Sequence, residues 1–322
     1  MTSVTENGLI HDEVVHTTIV DAAPLEVYAL VADVRRWPYS FAPTVHVEVL
    51  GAHDHAERIQ LWATANGKVR TWTSQRVLDP ASLRVIFRQE IPAAPVVAME
   101  GEWELLPTAG GGTEVRLHHR YSVADQDGYD QVTRAVDTNS VAELAGLKKL
   151  VEEGSGAHSE LVFSFEDSIF VEGEAEDAYD FLYRADRWAT ELSHVAAITV
   201  DEEDLVQTMR MDTVALDGST HTTESVRVCF PNHSIVYKQT KTPPVMAAHT
   251  GRWTVEPIDA GVRVRSEHTV VVRPEMVTEL LGPSATLTQA KTMIRNSLGA
   301  NSRKTLASTK KAVEARFRAL AA

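Results

Sequence analysis

"LEVYALVADVRRW" occupies residues 25–37, and "EDAYDFLYRADRW" occupies residues 176–188. Laid over one another, Tyr28 meets Tyr179 and Trp37 meets Trp188, an offset of 151 residues. The same offset brings "TSQRV" (73–77) onto "ESVRV" (224–228), so that Ser74 meets Ser225 and Arg76 meets Arg227. "EGEWELLP" (100–107) then falls on "TGRWTVEP" (250–257), with Trp103 over Trp253. "NSVAELAGLKK" (139–149) falls on "NSRKTLASTKK" (301–311) after an insertion in "RPEMVTELLGPSATL" (273–287). The matches keep their order along the chain, which is the signature of a duplicated unit. A period of that length is the size of a domain. The small, polar stretch "EEGSGAHSE" (152–160) reads as the linker. Two domains are expected, over residues 1–153 and 158–322.

Composition narrows the class of protein. Of 322 residues, 43% are hydrophobic and 24% charged, as in ordinary globular proteins. The net charge of −14 argues against general binding to a nucleic-acid backbone. The single cysteine, Cys229, excludes an intrachain disulfide and fits a reducing, cytoplasmic location. The N-terminal residues lack the basic and apolar regions of a secretory signal. No apolar run approaches the ~20 residues that span a bilayer, so no membrane partner is expected.

Each half carries one element order. A strand, "HTTIVDA" (16–22) or "DSIFVEG" (167–173), leads into a short helical stretch ending near the Trp. Asp21 stands as a cap-like residue before Pro24. Alternating segments broken by Gly, Pro, Asp and Asn follow, the pattern of an antiparallel meander. "PTAGGGTEVRL" (107–117) and "PIDAGVRVRS" (257–266) read as hairpins. The glycine run 110–112 joins strands and opens no helix, so it is not a phosphate loop. A long amphipathic helix closes each half. Val132, Val136, Ser140, Leu144, Leu147 and Val151 form one stripe; Ile294, Leu298, Asn301 and Thr305 form the other. The expected class is α+β: two tandem units, each a curved antiparallel sheet around its C-terminal helix with a cavity between them.

The strand "RTWTSQRVL" (70–78) has an uneven pair of faces. Thr71, Thr73, Gln75 and Val77 suit the wet side, which turns Trp72, Ser74 and Arg76 inward. The second half repeats the pattern with Thr223, Ser225 and Arg227. A buried guanidinium needs a carboxylate, several carbonyls, or a polar ligand. A structural ion pair and a cavity donor are both open on this pattern; the recurrence of Ser-x-Arg leans toward a polar cavity.

The tandem halves, "ADVRRWP" (32–38), "SQRV" (74–77), "GEWEL" (101–105) and an Asn on each final helix together resemble the di-domain aromatase/cyclases of bacterial type II polyketide synthases. Those proteins share the helix-grip fold of START and Bet v 1 proteins. The resemblance implies a poly-β-ketone held on an acyl carrier protein and delivered by a minimal polyketide synthase with a ketoreductase. It implies closure of the first ring between C7 and C12 of a chain reduced at C9, then dehydration to an aromatic ring. It implies no metal and no organic cofactor. It places Trp37 and Trp188 at the pocket mouths, and Asn139 and Asn301 on the helix facing the cavity.

Such chemistry needs one fold of the chain and fixed donors for carbonyl oxygens. Arg76 and Arg227 are expected to anchor and polarise oxygens, with Ser74 and Ser225 orienting the same groups. Arginine stays protonated, so it is a poor base. Trp72, and the pair Arg88 and Lys238 at matching positions, complete the expected substrate contacts. One of His118 and His119 must face the cavity, because neighbours on a strand point oppositely. No metal-ligand spacing or hydrolase motif appears. The rival reading is a non-catalytic carrier of a hydrophobic ligand, since this fold serves both uses.

Overall fold

The computed structural model describes residues 4–152, 160–214 and 218–321. The chain divides into two compact units, Met1–Ser159 and Glu160–Ala322. Most of the expected linker, residues 153–159, lies outside the described residues.

Unit 1 is one eight-stranded antiparallel sheet in the order β1-β2-β8-β7-β6-β5-β4-β3. Its strands are β1 (Val4–Glu6), β2 (Leu9–Val20), β3 (Thr44–His53), β4 (Ala56–Ala65), β5 (Lys68–Asp79), β6 (Arg84–Ile91), β7 (Val96–Pro107) and β8 (Thr113–Val123). Helices α1 (Pro24–Ala32) and α2 (Trp37–Ser40) connect β2 to the six-strand meander, and α3 (Gln126–Glu152) closes the unit. Unit 2 repeats this plan. Strand β9 (Val162–Val171) pairs with the last strand of the meander β10 (Val195–Glu203), β11 (Val206–Val214), β12 (Thr220–Phe230), β13 (Ser234–Lys241), β14 (Met246–Ile258) and β15 (Gly261–Val272). Its helices are α4 (Ala175–Tyr183), α5 (Trp188–Glu191), α6 (Glu275–Leu281) and α7 (Leu287–Ala321). None of the described helices is long and apolar enough to cross a membrane.

Local chemistry explains most boundaries. Asn7-Gly8 and Asn66-Gly67 both hold positive φ, as tight hairpins require, and so join β1 to β2 and β4 to β5. The strand expected over 16–22 is β2, which begins earlier, at Leu9, and is preceded by the short β1. Pro24 opens α1, but the cap position is Ala23 with no side-chain bond, so Asp21 does not cap it. The Asp125 carboxylate accepts from Gly128 N–H at 2.7 Å and starts α3. Thr286 and Gln289 bond reciprocally at the start of α7, a capping box. The insertion of unit 2 forms α6, whose Val277 packs with Ile294 of α7 and with Val270.

Curvature is inherited by both copies. The register slips at Thr44/His46, Thr73/Ser74 and Val96/Ala98 in unit 1. It slips at the matching Val195/Ala197, Glu224/Ser225 and Met246/Ala248 in unit 2. Bulges bend and twist a sheet, so each sheet folds over its long helix. The stripe of α3 is buried as its spacing requires: Val132, Val136, Ser140, Leu144, Leu147 and Val151 all lie inside. On α7, Ile294 and Thr305 are buried, and Leu298 and Asn301 are half-buried. On β5, Thr71, Gln75 and Val77 are exposed as expected, whereas Thr73 is covered rather than wet.

Candidate active site

Between sheet and α3, unit 1 holds a partly open cavity of about 460 Å³. Small residues make the room: Ala63 and Ala65 of β4, Ala93 and Ala94 beside β7, and Ala135 of α3. Trp72 of β5 and Met99 of β7 form apolar wall, and Asn139, Ser140 and Glu143 of α3 face them. His119 of β8 also lines this space, while His118 points the other way toward Glu104, 3.7 Å off.

Three of these polar groups are unspent among the described residues. Ser140 Oγ and His119 Nδ1 are buried without a hydrogen-bond partner. Glu143 carries no ion pair, and burial alone raises its carboxyl to about 7. Burial, with smaller contributions from His16 and His118, pushes the His119 imidazole down to about 3, so it is neutral at ordinary pH. Asn139 is oriented: its amide N–H donates to Thr64 O at 3.0 Å, which leaves its carbonyl oxygen as an acceptor.

Close backbone packing positions His119. Gly101 of β7 pairs with His119 on one side and Phe87 on the other. A Cβ at Gly101 would lie 2.0 Å from His118 O and 2.6 Å from the Phe87 ring. The missing side chain lets the Phe87 ring cross the strand and meet His119 edge-on, with centroids 5.5 Å apart.

Arg76 is not part of this cavity. Its Nη1 bonds Glu57, its partner across β4–β5, and also reaches Ala32 O at 3.2 Å. Its Nη2 donates to Val31 O at 2.8 Å, and the guanidinium lies 4.9 Å from the Trp37 ring. Burial lowers its pKa to about 10, and Glu57 opposes that shift. The expected oxygen anchor is therefore a structural tie between β5 and the end of α1. Ser74 is buried beside it and does not line the cavity either. Trp37 is a core residue, not a mouth residue. Its indole donates to Val31 O, and its ring packs edge-on against Phe41. Arg88 is also misplaced by the expectation: Phe87 takes the inner face, so Arg88 points to the exposed outer one. Of the residues expected in unit 1, Trp72 and Asn139 line the cavity.

Unit 2 places its residues differently. Trp188, Ser225, Arg227 and Asn301 all line an internal space, but its volume is about 110 Å³. Lys238 does not line it, because the adjacent Tyr237 does; Lys238 is buried on the opposite face, and burial lowers its pKa to about 7. The rest of the space is closed by a polar cluster. His249 and His268 stand 2.9 Å apart, ring nitrogen to ring nitrogen, and the Tyr237 hydroxyl is 3.1 Å from His268 Nδ1. Ser302 Oγ donates to Leu298 O at 3.0 Å, which assigns His268 Nε2 as the donor to Ser302 at 2.7 Å. Burial keeps both histidines neutral, His268 with a pKa of about 3.

Sequence reading missed Glu143, Ser140 and the cluster at His249. A signal existed for Glu143: it sits four residues after Asn139 and beside Leu144, on the inward stripe of α3. A charged residue in that position asks for a reason.

A curved sheet gripping a long helix over an internal cavity, present twice, defines a tandem helix-grip protein of the START-like class. Family models described as "Polyketide cyclase / dehydrase and lipid transport" match residues 20–144 and 162–314. The chain is 46% identical over 308 residues to the granaticin polyketide synthase bifunctional cyclase/dehydratase of Streptomyces violaceoruber, covering 94% of each chain. It is 44% identical over 304 residues to the actinorhodin polyketide synthase bifunctional cyclase/dehydratase of Streptomyces coelicolor, covering 91% of this chain and 94% of that one. Among solved structures, the di-domain ARO/CYC BexL from the BE-7585A biosynthetic pathway matches with a TM-score of 0.82 and 46% identity. That match covers 94% of this chain and 99% of BexL. The chain belongs to the polyketide cyclase/dehydratase family.

Proposed function

We propose that this chain acts in a type II polyketide synthase, and that unit 1 is its reacting domain. The substrate is a C9-reduced poly-β-ketone delivered on an acyl carrier protein. The reaction is C7–C12 aldol closure followed by dehydration to an aromatic ring. One observation carries the reading: a cavity of about 460 Å³ holds polar groups that the protein itself leaves unpaired. A cavity of that volume falls in the roughly 300–1,000 Å³ range of ligand sites, and the 110 Å³ space of unit 2 does not.

The steps follow from the lining. The walls fold the chain so that an enol carbon meets one ketone, which is most of what an intramolecular aldol requires. His119, neutral, donates an N–H to the ketone oxygen as that oxygen gains charge. The Asn139 carbonyl accepts a substrate hydroxyl and fixes the register. Glu143 moves the protons. As carboxylate it takes the hydrogen from the carbon next to the ketone; as the resulting acid it returns that proton to the departing hydroxyl, which leaves as water. A group with a pKa near 7 is suited to both halves of that exchange. Arg76 and Glu57 tie β4 and β5 to the end of α1 and do not touch substrate. Ser225 and Arg227 are kept out of the chemistry by the size of their space.

Polar, unpaired lining favours an enzyme over a carrier of apolar ligands. The test supplies the purified protein to a minimal synthase with a ketoreductase and profiles the products. An aromatic first ring closed between C7 and C12 is expected. A product mixture identical to that formed without the protein would overturn the proposal.

A further inference from the structure

The two repeats solve one electrostatic problem in two ways. Arg76 and Arg227 are equivalent residues, 2% and 1% exposed. A guanidinium so buried needs a counter-charge, because an unpaired buried ion costs several kcal/mol. In unit 1 the residue paired across the strands is Glu57, and it bonds the guanidinium. In unit 2 the residue at that place is Gln207, an amide of no net charge. Gln207 donates to Glu202 at 2.6 Å, and Tyr183 donates to the same carboxylate, so Glu202 is held away at the surface.

Arg227 is correspondingly under-satisfied. Its Nη2 donates to Leu182 O at 2.6 Å, but its Nη1 is buried without a partner among the described residues. Ser225 Oγ, which lines the same 110 Å³ space, is also buried without a partner, as is the Tyr179 hydroxyl. Gln207 Oε1 is a further unpartnered acceptor; it can take a hydrogen bond but cannot neutralise a cation. Trp188 covers the guanidinium, 5.3 Å from ring centroid to Cζ.

We propose that unit 2 carries a binding site for one small monovalent anion, a halide or a small carboxylate, held by Arg227 Nη1 and Ser225 Oγ where unit 1 has its own Glu57 carboxylate. Both atoms are closed to water in this structure, so the ion enters by displacing their packing neighbours; the space of about 110 Å³ lined by the same residues accommodates its volume and excludes a polyketide chain. The ion completes the charge balance of the C-terminal core, so its effect is on the stability of unit 2 and not on the reacting cavity.

Cys229 gives a local readout. It is the only cysteine, it is buried, and it lies on β12 two residues from Arg227. Burial raises its thiol to about 11, so a thiol reagent labels it when unit 2 opens. Labelling is followed at constant ionic strength while sodium bromide or sodium formate replaces the bulky isethionate salt. Saturable slowing, roughly tenfold once the anion reaches about ten times its dissociation constant, is the expected result. Slowing by bromide but not formate identifies a halide site, and the reverse a carboxylate site. Crystals grown in bromide should carry an anomalous peak beside Arg227 Nη1. The double substitution Gln207→Glu with Glu202→Gln restores the carboxylate of unit 1 and should label slowly with no anion dependence. Arg227→Met removes the cation and should also lose the dependence. Equal slowing in wild type and either variant, slowing without saturation, or water alone beside Arg227 in the bromide crystals would overturn the proposal.

Discussion

The cavities of the two units are built from matching positions and reach opposite states. His119 and His268 face the same glycine-bearing strand, paired with Gly101 and Gly251. Ser140 and Ser302 hold the same place on the long helices. In unit 2 the histidine and serine meet at 2.7 Å. In unit 1 Ser140 Oγ and His119 Nδ1 stand unpartnered. The difference lies in what surrounds them. Unit 2 sets Tyr237, His249, Met209 and Met211 where unit 1 has Phe87, Met99, Ile59 and Leu61. The added hydroxyl and imidazole close a hydrogen-bonded cluster against α7, whereas unit 1 keeps its polar groups apart around an open volume. Duplication has preserved the frame while one copy spent its polar residues on itself.

The sharpest way to break this comparison is at Glu143, whose counterpart on α7 is Thr305. Glu143→Gln keeps the shape and removes the proton-moving group. Cyclase/dehydratase turnover is expected to fall by about 10²–10⁴-fold, the usual contribution of general acid–base catalysis, with little change in KM. Thr305→Val should leave turnover near wild type. Wild-type turnover should rise with pH through about 7, as Glu143 ionises to accept the first proton, and the variant should lose that inflection. Stability moves the opposite way. The folded state holds the Glu143 proton after the unfolded chain has released it, so stability falls as pH rises from the ordinary carboxylate range to about 7. Urea midpoints across that range should flatten in Glu143→Gln.

The next test moves the charge solution of one unit toward the other. Glu57→Gln gives unit 1 the neutral partner that unit 2 has in Gln207. The site was built around a carboxylate, with Val31 and Ala32 carbonyls taking the other donors. Leaving Arg76 buried without its counter-ion is expected to cost about 3–5 kcal/mol, read from urea unfolding followed by the tryptophans of unit 1. A cost under about 1 kcal/mol would mean that the carbonyls alone satisfy Arg76.

The frame of each unit was legible because it rests on period and order. The stripes of α3 and α7, the meander turns and the duplicated Trp, Ser and Arg all obey local rules. Strand alternation placed Arg76 inward correctly, but alternation assigns a face and not a depth. Whether that Arg met substrate or Glu57 depended on the β4–β5 register, set by the Asn66-Gly67 turn and not readable from β5 alone. Arg88 and Lys238 failed for a simpler reason: their neighbours Phe87 and Tyr237 claim the inner face. Cavity size was out of reach, since it depends on how several side chains on different strands fill one space.

The smallest effect compares the two serines directly. Ser302 accepts from His268 Nε2, and that donor is buried among His249, Tyr237 and Ser266. Ser302→Ala leaves the donor with poorer geometry and is expected to cost about 1–3 kcal/mol, the usual penalty for an unsatisfied buried group. Ser140→Ala removes a hydroxyl that has no partner, so its cost should stay below about 0.5 kcal/mol. Stability of both variants at pH 7.5, read from denaturant midpoints, decides the matter. Because His268 is neutral when folded, with a pKa of about 3, the unfolded chain takes up its proton first as pH falls below the ordinary histidine range. Stability tied to that residue is therefore full above the ordinary histidine range and is lost as pH falls toward 3. Ser302→Ala removes the acceptor of His268 Nε2–H while the ring stays buried, so that acid sensitivity should persist, and Ser140→Ala should leave it unchanged as well. Equal costs for the two substitutions would mean that the closed cluster of unit 2 is no more tightly bonded than the open cavity of unit 1.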